Sequence, residues 1–240
     1  MKILIAHSKE EFGKLAFAEI KEILDKKPTC TLGLATGSTP IPLYDEMARD
    51  HAENGTSYKA VKTFNLDEYV GLPKEHPESY ISFMTKNLFS RVDIDMRNVN
   101  IPDGLAENIP EECIRYSSLL ANASVDVQVL GIGGNGHIAF NEPGTPFDSK
   151  THRVFLTQKT ITDNARFFSS VDEVPKSALT MGIGEIMKAK KILMLATGSN
   201  KADAVYKMIN GPVDTACPAS VLQNHPNVVV ILDTAAAEKL

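Results

Sequence analysis

The chain has 240 residues, of which 43% are hydrophobic and 23% are charged, and its formal net charge is −5. This composition is ordinary for a globular protein with a substantial core, and the negative charge argues against general binding to nucleic acid or to an anionic membrane. No apolar run approaches the roughly 18 residues that a membrane-spanning helix needs. Three isolated cysteines, Cys30, Cys113 and Cys217, suit a reducing compartment and lack metal-ligand spacing. We therefore expect a cytoplasmic protein without a metal or cofactor.

The first half of the chain alternates strand patterns with amphipathic helix patterns. A short apolar strand at residues 2–6 is followed directly by charge, so it is not expected to be a signal peptide. A helix at 9–27 then begins with Ser8 and Glu11 at capping-box spacing and ends before Pro28. The elements predicted next are a strand at 29–35, a helix at 41–54, a strand at 62–66, an irregular lid-like segment at 71–78, a helix at 79–89, a short strand at 98–101 and a helix at 110–121.

The second half continues this alternation. It predicts strands at 125–130 and 153–156, a helix at 160–168, a segment at 176–181 that approaches a helix at 184–189, a strand at 191–196, a helix ending near 209 and a strand at 227–232. Strands that alternate with helices form parallel sheets, because a parallel pair needs a crossover connection. We predict an α/β fold: a doubly wound, mostly parallel, Rossmann-like sheet with helices on both faces, in one domain over residues 1–240.

Two predicted strands end in turns that have the same sequence. The strand at 29–35 runs into Gly37, Ser38 and Thr39 directly before a helix, an arrangement that offers free N–H groups and hydroxyls to an anion. The sequence LATGS recurs at 195–199, and there the turn adds Lys201. Neither turn has the GK[ST] ending of a P-loop or a GxGxxG pattern, so neither implies a nucleoside triphosphate or a dinucleotide. A phosphate site is the functional interpretation, and an ordinary strand-to-helix turn is the alternative.

The stretch LGIGGNGHIAFNEPG, residues 130–144, carries the densest polar chemistry in the chain. Clustered glycines after a buried strand let the backbone come close to a ligand. His137 can titrate near neutral pH, and Glu142 can reach back to orient it. Asn135 adds an amide two residues before the histidine. A glycine-rich turn with a surface histidine is the alternative interpretation.

Asp67 follows the predicted strand at 62–66, so it joins the other polar loops at the carboxyl edge of the sheet, where ligands bind in open α/β folds. No G-x-S-x-G nucleophile motif is present. The set favours a small phosphorylated substrate and proton transfer at a carbon next to a carbonyl group. Asp67 is the candidate base, and His137 with Glu142 is the candidate pair for opening a sugar ring.

Five blocks resemble glucosamine-6-phosphate deaminases, in the same order over nearly the whole chain. They are FNLDEYVGLPKEHPESY at 64–80, LGIGGNGHIAFNEPG at 130–144, NARFF at 164–168, VPKSALTMGIG at 174–184 and the TGS-x-K turn ending at Lys201. The resemblance implies conversion of glucosamine 6-phosphate and water to fructose 6-phosphate and ammonia.

The resemblance also implies residue roles. Asp67 would move a proton between C2 and C1 through an enolamine, and His137 with Glu142 would catalyse ring opening. The turn at 37–39, Arg166 and Lys201 match the positions that hold the phosphate.

Two departures from the family pattern bear on these expectations. Asn135 stands where many members carry aspartate, so its role must be hydrogen bonding or orientation rather than proton transfer. His152 and Val154 stand where longer, hexameric members place basic residues that bind an allosteric amino-sugar phosphate, and the sequence given lacks their longer C-terminal segment. We expect no activation by N-acetylglucosamine 6-phosphate, and a monomer or small homo-oligomer. The rival interpretations are a 6-phosphogluconolactonase-like hydrolase and a non-catalytic sugar-phosphate sensor.

Overall fold

The structure is a computed structural model that describes residues 1–157, 161–162, 168 and 170–240. The helix predicted at 160–168 falls largely outside this part of the chain, and the predicted phosphate ligand Arg166 lies wholly outside it.

A seven-stranded sheet forms the centre of the fold, and every neighbouring pair of its strands is parallel. In spatial order its strands are β1 (Lys2–Ala6), β10 (Val228–Asp233), β9 (Ile192–Ala196), β6 (Val127–Gly131), β2 (Thr31–Leu34), β3 (Lys62–Asn65) and β5 (Val99–Asn100). The inner strands are buried along almost their whole length, as expected for a parallel sheet covered on its faces. The predicted α/β class and parallel sheet are confirmed.

Helices flank this sheet. They are α1 (Lys9–Lys26), α2 (Ile41–Asn54), α3 (Tyr80–Asn87), α4 (Ile109–Ala121), α5 (Ile183–Ile186) and α6 (Ala202–Asn210). At the start of α1, the Ser8 hydroxyl accepts a hydrogen bond from the Glu11 N–H at 3.0 Å, and the Glu11 carboxylate accepts one from the His7 N–H at 2.7 Å. Among the described residues, no helix has the length and apolar character needed to cross a bilayer.

A second, antiparallel sheet was not predicted. It contains β4 (Asp67–Tyr69), β8 (Ser177–Thr180) and β7 (His152–Phe155), in that order. The predicted strand at 62–66 therefore ends at Asn65, and Asp67 begins a new strand instead of ending the old one. The segment at 176–181, expected only to lead into a helix, contains β8. The strand predicted at 153–156 corresponds to β7, but no local pattern shows that it pairs with β8 or that β8 pairs with β4.

Leu66 joins the two sheets. Its N–H donates to the Leu34 carbonyl in the large sheet at 3.2 Å, and its carbonyl accepts from the Met181 N–H at the end of β8 at 2.7 Å. Because both backbone groups of Leu66 are satisfied in this way, the chain passes from one sheet to the other without an unpaired buried amide. This crossing fixes Asp67 at the carboxyl edge of the large sheet.

The strand order creates a crevice at that edge. Strands β2 and β6 are neighbours in the large sheet. Along the chain, β2 leads to β3, which pairs with the other edge of β2, whereas β6 leads to β9, the next strand of the large sheet, which pairs with the other edge of β6. The connections leaving β2 and β6 therefore diverge, which is the topological switch point at which open α/β sheets bind ligands.

Gly104 tests how closely β4 is packed. A Cβ atom there would lie 1.9 Å from the Tyr69 carbonyl oxygen, so Gly104→Ala forces backbone movement beside β4. We expect a loss of about 2–3 kcal/mol in the free energy of unfolding, measured by urea denaturation. Gly131→Ala is the matched control, because a Cβ atom there would have nothing within 4 Å. Equal stability of the two variants would contradict this packing.

Candidate active site

A single cleft of about 1370 Å³ opens at the switch point. It is lined by all the predicted site residues that the structure describes: Gly37, Ser38, Thr39, Asp67, Asn135, His137, Glu142 and Lys201. These residues follow the ends of β2, β3, β6 and β9. Residues up to 164 positions apart in the sequence (37 to 201) therefore line one cavity.

Asp67 is a buried carboxyl group in this cleft, with 7% of its surface exposed. Burial, followed by the negative charge of the neighbouring Glu68, raises the pKa of Asp67 to about 8. Among the described residues, no cation forms an ion pair with Asp67 that would lower its pKa again. A carboxyl group with such a pKa can both take up and release a proton near neutral pH.

The polar side chains of the histidine loop contact one another. Nδ1 of His137 lies 3.2 Å from Oε1 of Glu142, within ion-pair distance, although the pair is not aligned as a hydrogen bond. The Asn135 amide N–H donates to Oε2 of the same carboxylate at 2.6 Å, and the Asn135 side-chain oxygen accepts from the His137 backbone N–H at 3.2 Å. Asn135 therefore links the backbone of His137 to the side chain of Glu142, a position compatible with the orienting role expected from the sequence.

Glycine is required directly beneath the histidine ring. A Cβ atom on Gly133 would lie 2.3–2.4 Å from three atoms of the His137 ring. Gly136 has a φ of +87°, and a Cβ there would lie 2.6 Å from the sulfur of Cys217. The glycines thus let the loop fold back on itself while the imidazole ring rests on the backbone.

The turn between His137 and Glu142 is strained and anchored. Ala139 has a φ of +51°, a conformation that non-glycine residues rarely adopt and that is concentrated at functional sites. The fully buried Asn141 side chain holds this turn by donating to the carbonyl oxygens of Ile138 at 3.0 Å and Met181 at 2.9 Å. The turn is therefore attached to the end of β8, next to the strand that carries Asp67.

The first of the two turns predicted to bind an anion lies between β2 and α2. Gly37 has a φ of +95°, and Ser38 is exposed at the mouth of the cleft. The buried hydroxyl group of Tyr44 fixes the base of the turn, since it donates to the Ala35 carbonyl at 2.5 Å and accepts from the Ala35 N–H at 3.2 Å. Sequence reasoning did not single out Tyr44, because an apolar stripe on a helix gives no sign of a hydrogen bond to a loop.

The second turn predicted to bind an anion follows β9 and brings Lys201 into the same cleft. Lys201 is half-buried, and desolvation lowers the pKa of its ammonium group. No carboxylate of the described residues forms an ion pair with it, in contrast to the buried Lys191, which is paired with Glu19. A partly desolvated cation that faces a cavity without a protein counter-ion is suited to bind an anionic ligand.

Asp233 braces this second turn. The Gly198 N–H donates to both oxygens of the Asp233 carboxylate, at 3.0 and 2.9 Å, and Gly198 has a φ of +92°. Asp233 could not be selected from the sequence, because it ends β10 and reaches the turn through the pairing of β10 with β9.

Aromatic side chains form one wall of the cleft. The rings of Tyr69 and Tyr80 are 4.8 Å apart, and Tyr80 stacks on Phe140 at 6.4 Å with 5° between the planes. Tyr69, Tyr80, Phe140 and Phe168 all line the cavity. This wall comes from three of the sequence blocks noted above, but the strand pairing that assembles it was not visible in the sequence.

Known proteins resemble the chain along its full length. It matches the family described as "Glucosamine-6-phosphate isomerases/6-phosphogluconolactonase" over residues 6–231. It is 52% identical to a glucosamine-6-phosphate deaminase of Lactobacillus delbrueckii subsp. bulgaricus, with 100% of both chains covered. It is 51% identical to one of Clostridium botulinum (strain Langeland), with 100% of this chain and 99% of the relative covered.

Solved structures give the same result. A structure described as a monomeric glucosamine-6-phosphate deaminase superposes with a TM-score of 0.97 at 42% identity, with 100% of both chains covered. A 6-phosphogluconolactonase from Trypanosoma brucei superposes with a TM-score of 0.80 at 24% identity, over 100% of this chain and 98% of that one, and so shares the fold. The fold, the cleft and these similarities together show that the chain belongs to the glucosamine-6-phosphate isomerase/6-phosphogluconolactonase family.

Proposed function

We propose that the protein converts glucosamine 6-phosphate and water to fructose 6-phosphate and ammonia. The observation that carries this proposal is one cleft that holds a buried carboxyl group able to exchange a proton near neutral pH, a histidine–glutamate pair and a lysine that has no ion-pair partner in the described part of the chain. The full-length relatives named as glucosamine-6-phosphate deaminases support the same substrate.

Ring opening comes first, because the aldehyde at C1 is masked in the pyranose. His137 takes the proton of the anomeric hydroxyl group and returns it to the ring oxygen, which breaks the C1–O5 bond. Glu142 stabilises the imidazolium ion that forms between these two transfers, since its Oε1 lies 3.2 Å from Nδ1. Asn135 keeps the carboxylate turned toward the ring.

Isomerisation and deamination follow. Asp67 as carboxylate takes the C2 proton to form the enolamine, and then gives a proton to C1. The resulting imine at C2 reacts with water and releases ammonia, so that the substrate gains one water molecule and loses one ammonia molecule. A pKa near 8 suits a group that must act as base and then as acid.

The phosphate binds at the other loops. The turn at 37–39 supplies backbone N–H groups and hydroxyls, and Lys201 supplies the charge. Arg166, which the family resemblance places at the same phosphate, lies outside the described residues and is proposed on that resemblance alone.

We place this activity in the cytoplasm, on a chain that acts as a monomer or small oligomer. The three free cysteines are consistent with a reducing compartment. The related structure with a TM-score of 0.97 is described as monomeric, which supports the smaller assembly.

The direct test is to assay ammonia and fructose 6-phosphate in one reaction with glucosamine 6-phosphate. We expect the two products in a 1:1 ratio, and no change in rate when N-acetylglucosamine 6-phosphate is added. Hydrolysis of 6-phosphogluconolactone without ammonia release would instead favour the lactonase. Binding of sugar phosphate without either reaction would favour a sensor.

Asp67→Asn should abolish turnover and yet stabilise the protein at pH 8. Because the pKa of Asp67 is raised to about 8, the folded state keeps a proton that the unfolded state loses near pH 4. Stability of the wild type therefore falls as pH rises from about 4 to 8. We expect calorimetry to show a melting temperature for the variant roughly 5 °C above that of the wild type at pH 8, and a smaller difference at pH 5. An equal difference at both pH values would contradict a raised pKa for Asp67.

Gly133→Ala should displace the His137 ring, because the added Cβ would lie 2.3–2.4 Å from three ring atoms. We expect kcat for ammonia release to fall by about 10²-fold, the usual contribution of a general acid–base group. Gly134→Ala is the neighbouring control, since a Cβ there would meet only the Asn200 carbonyl at 3.4 Å. Similar losses in the two variants would argue against this placement of the ring.

Lys201→Met should weaken substrate binding through the phosphate. Loss of one charge-assisted hydrogen bond predicts a rise in KM of about 10–100-fold in steady-state kinetics. Lys207→Met is the control, because Lys207 is exposed on α6 and does not line the cleft. An unchanged KM in Lys201→Met would remove this lysine from the phosphate site.

A further inference from the structure

Asp67 and Glu68 are consecutive buried carboxyl groups that face different cavities. Successive side chains of a strand point to opposite sides. Asp67 lines the large cleft, whereas Glu68 lines a separate cavity of about 210 Å³ together with Leu72, Lys74 and Asp103. Glu68 has only 5% of its surface exposed, so its charge is not screened by bulk water.

Three backbone N–H groups hold the Glu68 carboxylate. Oε1 accepts from Tyr69 at 2.9 Å and from Tyr80 at 2.9 Å, and Oε2 accepts from Ile81 at 3.1 Å. Tyr80 and Ile81 are the first two residues of α3, whose N–H groups have no partner within the helix. Burial raises the pKa of Glu68, whereas the three N–H groups and the charge of Lys74 act in the opposite direction and favour the ionised carboxylate.

These bonds tie the strand of Asp67 to helix α3, which contributes Tyr80 to the aromatic wall of the cleft. Helix α3 carries Tyr80 and Phe83 on the cleft lining, and Glu78 lies just before the helix. Because Glu68 bonds to both Tyr69 in β4 and the first turn of α3, it fixes the position of that wall relative to Asp67.

Among the described residues, the other groups around Asp67 do not act on its carboxyl group as the charge of Glu68 does. The hydroxyl groups of Tyr69, Tyr80 and Tyr116 lie close enough to interact with it, and burial raises the pKa of each, to about 12 for Tyr69, so that they stay neutral. Glu78, His137, Glu142 and Lys201 line the same cavity from other loops. Glu68 is the charged group that acts on the Asp67 carboxyl from within its own strand.

We propose that Glu68 is a positioning residue for the reaction: it fixes Asp67 against helix α3, and its held negative charge makes Asp67 a stronger acceptor for the C2 proton. This inference rests on the proposed function. It assigns Glu68 no contact with substrate, because Glu68 opens to the second cavity rather than to the cleft.

The test is the pH profile of kcat/KM for Glu68→Gln with glucosamine 6-phosphate. The acid limb of this profile reports the base of the free enzyme. Removal of the charge should move that limb to lower pH by roughly one unit, and the weaker base should lower the plateau several-fold. Glu68→Asp, which keeps the charge, should leave the acid limb near its wild-type position even where the shorter side chain lowers kcat.

Asp126→Asn is the matched control. Asp126 is also buried, with 5% exposed, and accepts the Thr31 N–H at 2.8 Å, but it precedes β6 at the opposite edge of the sheet. We expect this variant to lose stability without moving the acid limb. An unmoved limb in folded Glu68→Gln, or an equal shift in the control, would overturn the role of Glu68.

A measurement independent of turnover separates this proposal from the proposed function. The carboxyl ¹³C resonance of Asp67, assigned by its absence in Asp67→Asn, should titrate at lower pH in Glu68→Gln than in the wild type. If glucosamine 6-phosphate released no ammonia, the proposed function would fail while this titration still tested the coupling. Identical titration of Asp67 in the two proteins would contradict the coupling whatever the enzyme catalyses.

Discussion

A carboxyl group that is removed from water without a cation beside it holds its proton far more tightly than one in solution, and Asp67 is such a group among the residues that the structure describes. Its burial depends on the crossing at Leu66, where the chain leaves the parallel sheet and enters the small antiparallel one. The small sheet closes over the carboxyl edge of the large one and supplies part of the aromatic wall. The fold therefore creates, at one place, both the cleft and the proton affinity that the proposed chemistry needs.

The other parts of the site are held in place by backbone geometry and hydrogen bonds rather than by the packing of large side chains. The His137 ring rests on Gly133, and Asn141 attaches the loop to the end of β8 beside the strand of Asp67. The proposed phosphate site is built from two turns with glycines at positive φ, which follow the two strands on either side of β6. Positions fixed by hydrogen bonds and glycines tolerate little change, which explains why the polar groups keep their geometry around an open cavity.

Much of this could be predicted from the sequence, because strands and helices with strong periodicity also dictate a parallel sheet whose polar loops share an edge. Asp67, His137, Glu142 and Lys201 were selected in that way, and the structure places them in one cleft. The antiparallel sheet escaped prediction because β4 and β8 are short and pair across more than 100 residues, as Asp67 does with Thr180. The residues that support the site could not be predicted for a similar reason, because hydrogen bonds that form only after folding leave no local pattern in the sequence.

The central claim is that one buried carboxyl group carries the proton from C2 to C1. It is tested most directly with glucosamine 6-phosphate that bears deuterium at C2, converted in ordinary water in a single turnover. With only 7% of Asp67 exposed, exchange with solvent should be slow enough that a measurable fraction of the deuterium appears at C1 of fructose 6-phosphate. Complete replacement of the label by solvent hydrogen would contradict a shielded transfer by Asp67.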